Sequence, residues 1–145
     1  MKKLLILIGP PGSGKSTFAK EYTAKLEAAG NNFSIRSTDD QFMKDGKYCF
    51  DRTKLGQYHH NNMILAAKDM DLNIDVVIID NTNVNPRDYK VYIDAANSRG
   101  YEVEYHTMDT DLDTCLARNA TRTPDRKVPD DVVKRMWETV NKQNK

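Results

Sequence analysis

Cysteine is nearly missing from this chain: Cys49 and Cys115 are its two thiols in 145 residues. That count excludes a small disulfide-stapled scaffold, and neither cysteine has a partner cysteine or histidine at the spacing of a zinc site. Both are read as reduced thiols. A surplus of one charge sign is missing as well, since 22 Lys and Arg face 21 Asp and Glu for a net charge of +1. Coating of nucleic acid through a global positive field is therefore excluded, and any such contact must come from a local basic patch. Long apolar runs are absent. Leu4–Ile8 follows Lys2 and Lys3 like the start of a signal peptide, yet it is too short to span a bilayer and runs into glycines and Lys15 instead of a cleavage site. The expectation is a cytoplasmic protein with no membrane contact and no obligate protein partner. The sequence also lacks repeats, low-complexity segments and linkers, and 39% hydrophobic with 30% charged residues is an ordinary globular balance. One domain over residues 1–145 is expected.

What the chain does contain is a set of short apolar runs separated by helical-length segments. Leu4–Ile8, Phe33–Ser37 and Asp75–Asp80 read as strands, and Tyr101–Thr107 is a weaker, alternating one. Helices are expected at Lys15–Ala29, closed by Gly30, at about Arg52–Asp71, at Pro86–Ser98 with proline at the start, at Leu112–Asn119 and at Asp131–Asn141. Strands joined by helices need right-handed crossovers, which predicts an α/β fold with a parallel sheet flanked by helices. The first and third runs are continuously apolar, as central strands covered on both faces must be. Thr121–Asp131, polar, proline-punctuated and basic in its middle, reads as a mobile loop.

Between the first strand and the first helix lies GPPGSGKST, in which Gly9, Gly14, Lys15 and Ser16 satisfy G-x-x-x-x-G-K-[ST]. Gly9, Gly12 and Gly14 let successive N–H groups converge on phosphate oxygens, with Ser13, Ser16 and Thr17 around them. Lys15 can reach the β and γ phosphates, Ser16 can ligate Mg²⁺, and the following helix presents its positive end. A plain glycine-rich turn with an exposed lysine is the competing reading; the complete motif in this context points to a nucleoside triphosphate.

Downstream, Asp39 and Asp40 end the second strand, on the side where open α/β sheets bind ligands. Asp39 there can accept the proton of an attacking hydroxyl, or either carboxylate can simply cap a turn. Asp80 ends the third strand in the manner of a Mg²⁺-holding carboxylate, although an Asx-rich turn through Asn81, Asn83 and Asn85 accounts for the same stretch. Arg118 and Arg122 are four residues apart and share a face if the helix extends, as a phosphate-binding pair or as a solvated helix end. His59 and His60 read as surface or packing residues, not ligands. Phe42, Lys44, Lys47, Tyr48 and Phe50 form an aromatic and basic cluster that can stack on bases and meet phosphates, or fold a lid.

IGPPGSGKST, STDD, IIDNTNVNP and ARNATRTPDRKVP, in this order, resemble the P-loop kinase domain of the polynucleotide kinase type over nearly the whole chain. The resemblance implies an adenylate-kinase-like parallel core with a basic lid loop, ATP and Mg²⁺ at Lys15 and Ser16, Asp39 as general base, Arg122 as the lid arginine on the phosphoryl group, and Arg118 on the nucleotide side. Polynucleotide kinases of phage type carry an arginine three residues after the base, where this chain has Phe42. The segment from Phe42 to Asn62 looks more like related domains of ubiquitin-ligase-binding proteins, and small phage kinases that modify hydroxymethyluracil in DNA resemble the same group. Three readings follow: a kinase of a nucleic-acid hydroxyl, at a 5′ end or on a modified base, with Asp40 and Phe42 on the acceptor; a kinase of a free small molecule such as a nucleoside; and a slow nucleotide-dependent switch. No N-K-x-D element for guanine supports the last.

Overall fold

The computed structural model describes residues 1–143. Four parallel strands form the sheet, β1 (Lys3–Ile8), β2 (Phe33–Arg36), β5 (Val76–Asp80) and β6 (Glu102–Thr107), in the order β2-β5-β1-β6. Five helices connect or flank them: α1 (Lys15–Ala28), α2 (Leu55–Asp71), α3 (Pro86–Asn97), α4 (Leu112–Ala120) and α5 (Asp130–Gln143). The α/β reading therefore holds, with β1 and β5 at the centre.

Apolar continuity in those two strands has the expected cause. Leu4, Ile6, Ile8, Val77 and Ile79 enter a core with Ala66 and Met70 of α2, Tyr92 and Ala96 of α3 and Val140 of α5. Leu5, Leu7, Val76 and Ile78 point the other way, onto Ala19 and Leu26 of α1. Each buried aliphatic side chain stabilises the fold by roughly 1.5–3 kcal/mol, so a polar residue at any of these positions would be strongly disfavoured.

Because every strand of this sheet is parallel, their carboxyl ends lie along one edge. β1 delivers the phosphate loop there, and the register pairs Leu7 with Asp80. β2 delivers a 3₁₀ turn, Thr38–Phe42, whose first turn contains Asp39 and Asp40. At its far end, Arg36 grips the buried carboxylate of Asp69 on α2 through Nε at 2.6 Å and Nη2 at 2.8 Å, which fixes where the turn begins.

Two features depart from the sequence reading. Met43–Lys44 and Lys47–Tyr48 form a separate antiparallel hairpin, β3 and β4, with Asp45 and Gly46 at positive φ in its two-residue turn. Arg52–Lys54 is a 3₁₀ turn, so α2 starts at Leu55. The helix α4 ends within one residue of its expected end, at Ala120, where Thr121 Oγ1 donates to the Arg118 carbonyl. The loop that follows is tethered: Asn119, buried, donates to the Val128 carbonyl and accepts from the Val128 N–H. Among the described residues, no helix is long and apolar enough to cross a membrane.

Candidate active site

The phosphate loop is shaped by what its glycines omit. Gly12 has φ +81°, and a Cβ on it would overlap the Cys115 carbonyl oxygen of α4. A Cβ on Gly9 would lie 2.5 Å from Ser13 Oγ. Gly12 therefore closes on backbone and Gly9 on side chains, leaving a cradle that further side chains would fill. Gly14, the N-cap of α1, supplies no capping side chain, and no acidic residue occupies the first turn. The first intrahelical bond runs from Phe18 N–H to the Gly14 carbonyl at 2.9 Å, so the N–H groups of Lys15, Ser16 and Thr17 have no carbonyl partner within the helix. Such an open, positively polarised helix start suits a phosphate.

Lys15 Nζ donates to the carbonyls of Gly9 at 2.8 Å and Pro10 at 3.2 Å. Burial pulls its ammonium pKa down to about 8, against the attraction of Asp80 and Asp39 and with the help of repulsion from Arg122. Those couplings locate four of the expected residues in one electrostatic neighbourhood. Ser13 is buried with an unpartnered Oγ, and Arg118 Nη1 donates to the Gly12 carbonyl at 3.3 Å. Ser16 and Thr17 are exposed at the helix start.

On the opposite side, Asp39 and Asp40 are exposed on the 3₁₀ turn. Partial burial and repulsion from Asp39 push the Asp40 carboxyl above the ordinary value, while Arg126 and Arg36 oppose that shift. Asp80 is also raised, first by burial, with Lys15 opposing and Asp40 and Asp39 adding to it. Carboxylates held in this way gain from a nearby cation. Among the described residues no three His, Cys, Asp or Glu side chains converge as a metal cage. The donor set of Ser16 hydroxyl and Asp80 carboxylate instead fits Mg²⁺, which is commonly held by one or two protein oxygens together with phosphates and water.

The Asx-rich stretch after Asp80 has structural work of its own. Asn81 Oδ1 accepts from Thr38 N–H at 2.9 Å, tying the end of β5 to the turn that bears Asp39. Asn83, at positive φ and buried, donates to the Leu7 carbonyl at 2.8 Å, and Asn85 forms a capping box with Asp88. Thr38 Oγ1 and His59 Nδ1 are hydrogen-bonded at 2.9 Å, which ties α2 to the turn that bears Asp39.

One expectation is corrected. Phe42, expected on the acceptor, is 1% exposed and packs against Tyr48, Phe50 and Tyr58 at ring-centroid distances of 6.1, 5.1 and 4.7 Å. Its ring closes the core beneath the hairpin and has no free face for a base. Arg118 and Arg122 would share a helical face only if α4 extended, and it ends at Ala120, between them. Arg122 instead belongs to the turn after α4, from which its charge still acts on Lys15.

Two residues have contacts at the site that the sequence reading did not give them. Tyr48 Oη donates to Asp39 Oδ1 at 3.3 Å, and the Arg126 guanidinium lies 4.7 Å from the centre of the Tyr48 ring. The signal for the hairpin that carries Tyr48 was the Asp45-Gly46 pair, a favoured two-residue hairpin turn.

Comparison with known proteins follows the same outline. The AAA domain family matches residues 4–143. NEDD4-binding protein 2 of Homo sapiens is 36% identical over 107 residues, which cover 74% of this chain and 6% of that protein. A protein of Autographa californica nuclear polyhedrosis virus, described as a bifunctional polynucleotide kinase/RNA ligase, is 25% identical over 160 residues, covering 99% of this chain and 21% of the viral one. The chain thus spans a small part of either relative. Among solved structures, a chain of the Pnkp1/Rnl/Hen1 RNA repair complex superposes with a TM-score of 0.78 at 20% identity, covering 99% of this chain and 45% of that one. The Mycobacterium tuberculosis APS kinase CysC, in complex with AMPPNP and APS, gives 0.63 at 18%, covering 83% and 69%. These two likenesses are of fold.

Proposed function

The chain belongs to the AAA domain family of P-loop kinases, and from that premise we propose that it is an ATP-dependent kinase acting on a hydroxyl of a polynucleotide. The observation that carries this reading is the open phosphate loop at the carboxyl edge of the sheet, with Lys15 on the Gly9 and Pro10 carbonyls, Asp80 at the neighbouring strand end and Asp39 on the turn after β2. A phosphate-gripping lysine, a metal-side carboxylate, a base and a lid arginine are the set an in-line phosphoryl transfer requires.

Lys15 and the N–H groups at the start of α1 hold the β and γ phosphates. Mg²⁺, held by Ser16 and Asp80, would neutralise phosphate charge. Asp39 accepts the proton of the acceptor hydroxyl as that oxygen bonds to the γ phosphorus and the bond to the β-phosphate oxygen breaks. Arg122 offsets the charge spread over the transferring group, and Arg118 lies on the nucleotide side at Gly12. Asp40, beside the base, is left to the acceptor.

Charge placement supports a polynucleotide. Residues 43–54 and 118–127 carry eight Lys and Arg against three Asp and Glu, although the whole chain has a net charge of only +1. Phe50, 53% exposed, and Met43, 39% exposed, add apolar surface on the same hairpin side. A basic surface with exposed aromatics suits a single strand. Phe42 is buried and offers no face on which an internal base could stack beside Asp39, so a terminal hydroxyl is our reading. The viral relative's description as a polynucleotide kinase agrees with it. Partner proteins occur in the RNA repair complex, so a protein partner is left open for this chain.

The test is transfer of labelled γ-phosphate from ATP to single-stranded DNA and RNA with 5′ hydroxyls, hydroxymethyluracil DNA, free nucleosides and APS. Labelled 5′-hydroxyl oligonucleotide is expected. Label confined to nucleosides or APS would replace the proposal with a small-molecule kinase, a reading to which the APS kinase likeness lends fold-level support. ATP turnover without any labelled acceptor would favour the switch.

A further inference from the structure

Asp39 is exposed at a turn, where nothing in its own backbone selects one orientation of the carboxylate. A general base needs such an orientation, because a misdirected lone pair cannot receive the proton during attack. Tyr48 approaches it from β4, with its hydroxyl 3.3 Å from Asp39 Oδ1. That is longer than a tight O–H···O⁻ bond, in the way catalytic contacts commonly are before substrate is present.

The tyrosine is itself held from several sides. Phe42 meets its ring edge-on from the core, and its cross-strand partner is Met43. Over the other part of the ring lies the Arg126 guanidinium at 4.7 Å, and Arg126 Nη2 is 3.0 Å from Met43 Sδ. Arg126 belongs to the loop tethered by Asn119 and Val128, the same loop that supplies Arg122. One side chain thus touches the carboxylate through its hydroxyl and the lid through its ring. Burial and the negative charge of Asp39 push the Tyr48 phenol up to about 12, which keeps it a hydrogen-bond donor at neutral pH.

We propose that Tyr48 is a positioning residue for phosphoryl transfer, which occupies Asp39 Oδ1, leaves Oδ2 for the acceptor's proton, and docks the lid loop through Arg126. Base orientation and lid placement are then set by a single side chain. The inference rests on Asp39 being the base, and the experiment separates the two claims.

Four variants, Tyr48→Phe, Tyr48→Leu, Asp39→Asn and the double variant Asp39→Asn/Tyr48→Phe, are compared by steady-state kinetics with ATP and a 5′-hydroxyl oligodeoxynucleotide. The same proteins are exposed to limited trypsin, read at the Arg122, Arg126 and Lys127 bonds. Tyr48→Phe keeps the ring, so kcat should fall about tenfold, the scale of one hydrogen bond to a charged group, with KM for ATP and acceptor unchanged. In the Asp39→Asn background the same change should cost nothing further. Tyr48→Leu should lower kcat similarly, raise the acceptor KM several-fold and speed tryptic cleavage of the lid, whereas Tyr48→Phe should leave cleavage at the wild-type rate. A Tyr48→Phe penalty that persists undiminished with Asp39→Asn, or lid cleavage unchanged in Tyr48→Leu, overturns the proposal. If Asp39→Asn retains wild-type kcat, the assignment of the base fails, and this inference falls with it. Should the wild type leave the oligonucleotide unlabelled, the polynucleotide reading fails, and lid cleavage in the two Tyr48 variants still decides the docking half.

Discussion

From Gly9 to Thr17 the nucleotide wall of the cleft is a run of consecutive residues, whereas the wall assigned to the acceptor gathers Asp39 from a 3₁₀ turn, Tyr48 from a hairpin, and Arg122 and Arg126 from the loop after α4. The first wall is made of backbone. Its N–H groups point where they do because Gly12 and Gly14 adopt positive φ and a helix follows, conditions that a short stretch of chain satisfies alone. The second wall is made of side chains from three segments, held in register by Phe42 in the core, by Asn119 on Val128 and by Arg126 on Tyr48. A wall of the first kind is legible and tolerant of change elsewhere. A wall of the second kind depends on long-range packing, so that a buried residue touching no substrate can still decide activity.

The contrast can be broken most decisively on the nucleotide wall. Lys15→Ala should abolish detectable transfer and weaken ATP binding, measured by label transfer and by nucleotide titration, because the β and γ phosphates lose the ammonium that the loop holds on the Gly9 and Pro10 carbonyls. Retained turnover would show that the motif does not grip phosphate here.

Phe42→Ala tests whether the acceptor wall really hangs on its core. Removing a fully buried ring should destabilise folding by about 3–5 kcal/mol in a denaturant melt. Under conditions where the variant stays folded, ATP affinity should be near that of wild type while transfer falls. An unchanged melt with a raised acceptor KM would return Phe42 to the ligand-facing role.

Arg122→Lys keeps the charge and loses the planar fork, so kcat should drop by about 10²- to 10³-fold, with a much smaller change in ATP affinity. Equal losses in both would place Arg122 on the nucleotide wall and blur the division.

The smallest expected effect is a pH dependence. Burial holds the Lys15 ammonium at about 8 in the free protein. Phosphate favours the protonated form, so above that value binding must take up a proton, and ATP affinity should weaken by up to about tenfold per pH unit. Below it the lysine is already charged and affinity should be flat. In folding, the same depressed pKa runs the other way: the fold disfavours the charged lysine, a cost present at low pH and relieved as pH rises from about 8 towards the ordinary lysine value. Flat ATP affinity up to pH 9 would mean that Lys15 is better solvated than its burial implies.

Sequence alone determined the elements whose cause is local. Apolar continuity in Leu4–Ile8 and Val76–Ile79 identified the central strands, and the glycine-lysine loop between strand and helix identified the phosphate site, because each pattern is enforced by neighbours in the chain. Pro86 likewise marked the start of α3, where the structure adds the capping box of Asn85 and Asp88. Tertiary structure alone decided which way an aromatic faces. An aromatic beside two carboxylates can lie on a ligand or fill a core, and Phe42 and Tyr48 divide those possibilities only because Phe50 and Tyr58 cover the first while Asp39 and Arg126 meet the second. The course of the loop after α4 was decided the same way. The helix ends within one residue of its expected end, with the local Thr121 cap on the Arg118 carbonyl, but the tether of Asn119 to Val128 that holds the loop bearing Arg122 forms only in the folded chain. Spacing records what adjacent residues can do together; burial and orientation depend on residues that become neighbours only when the chain folds.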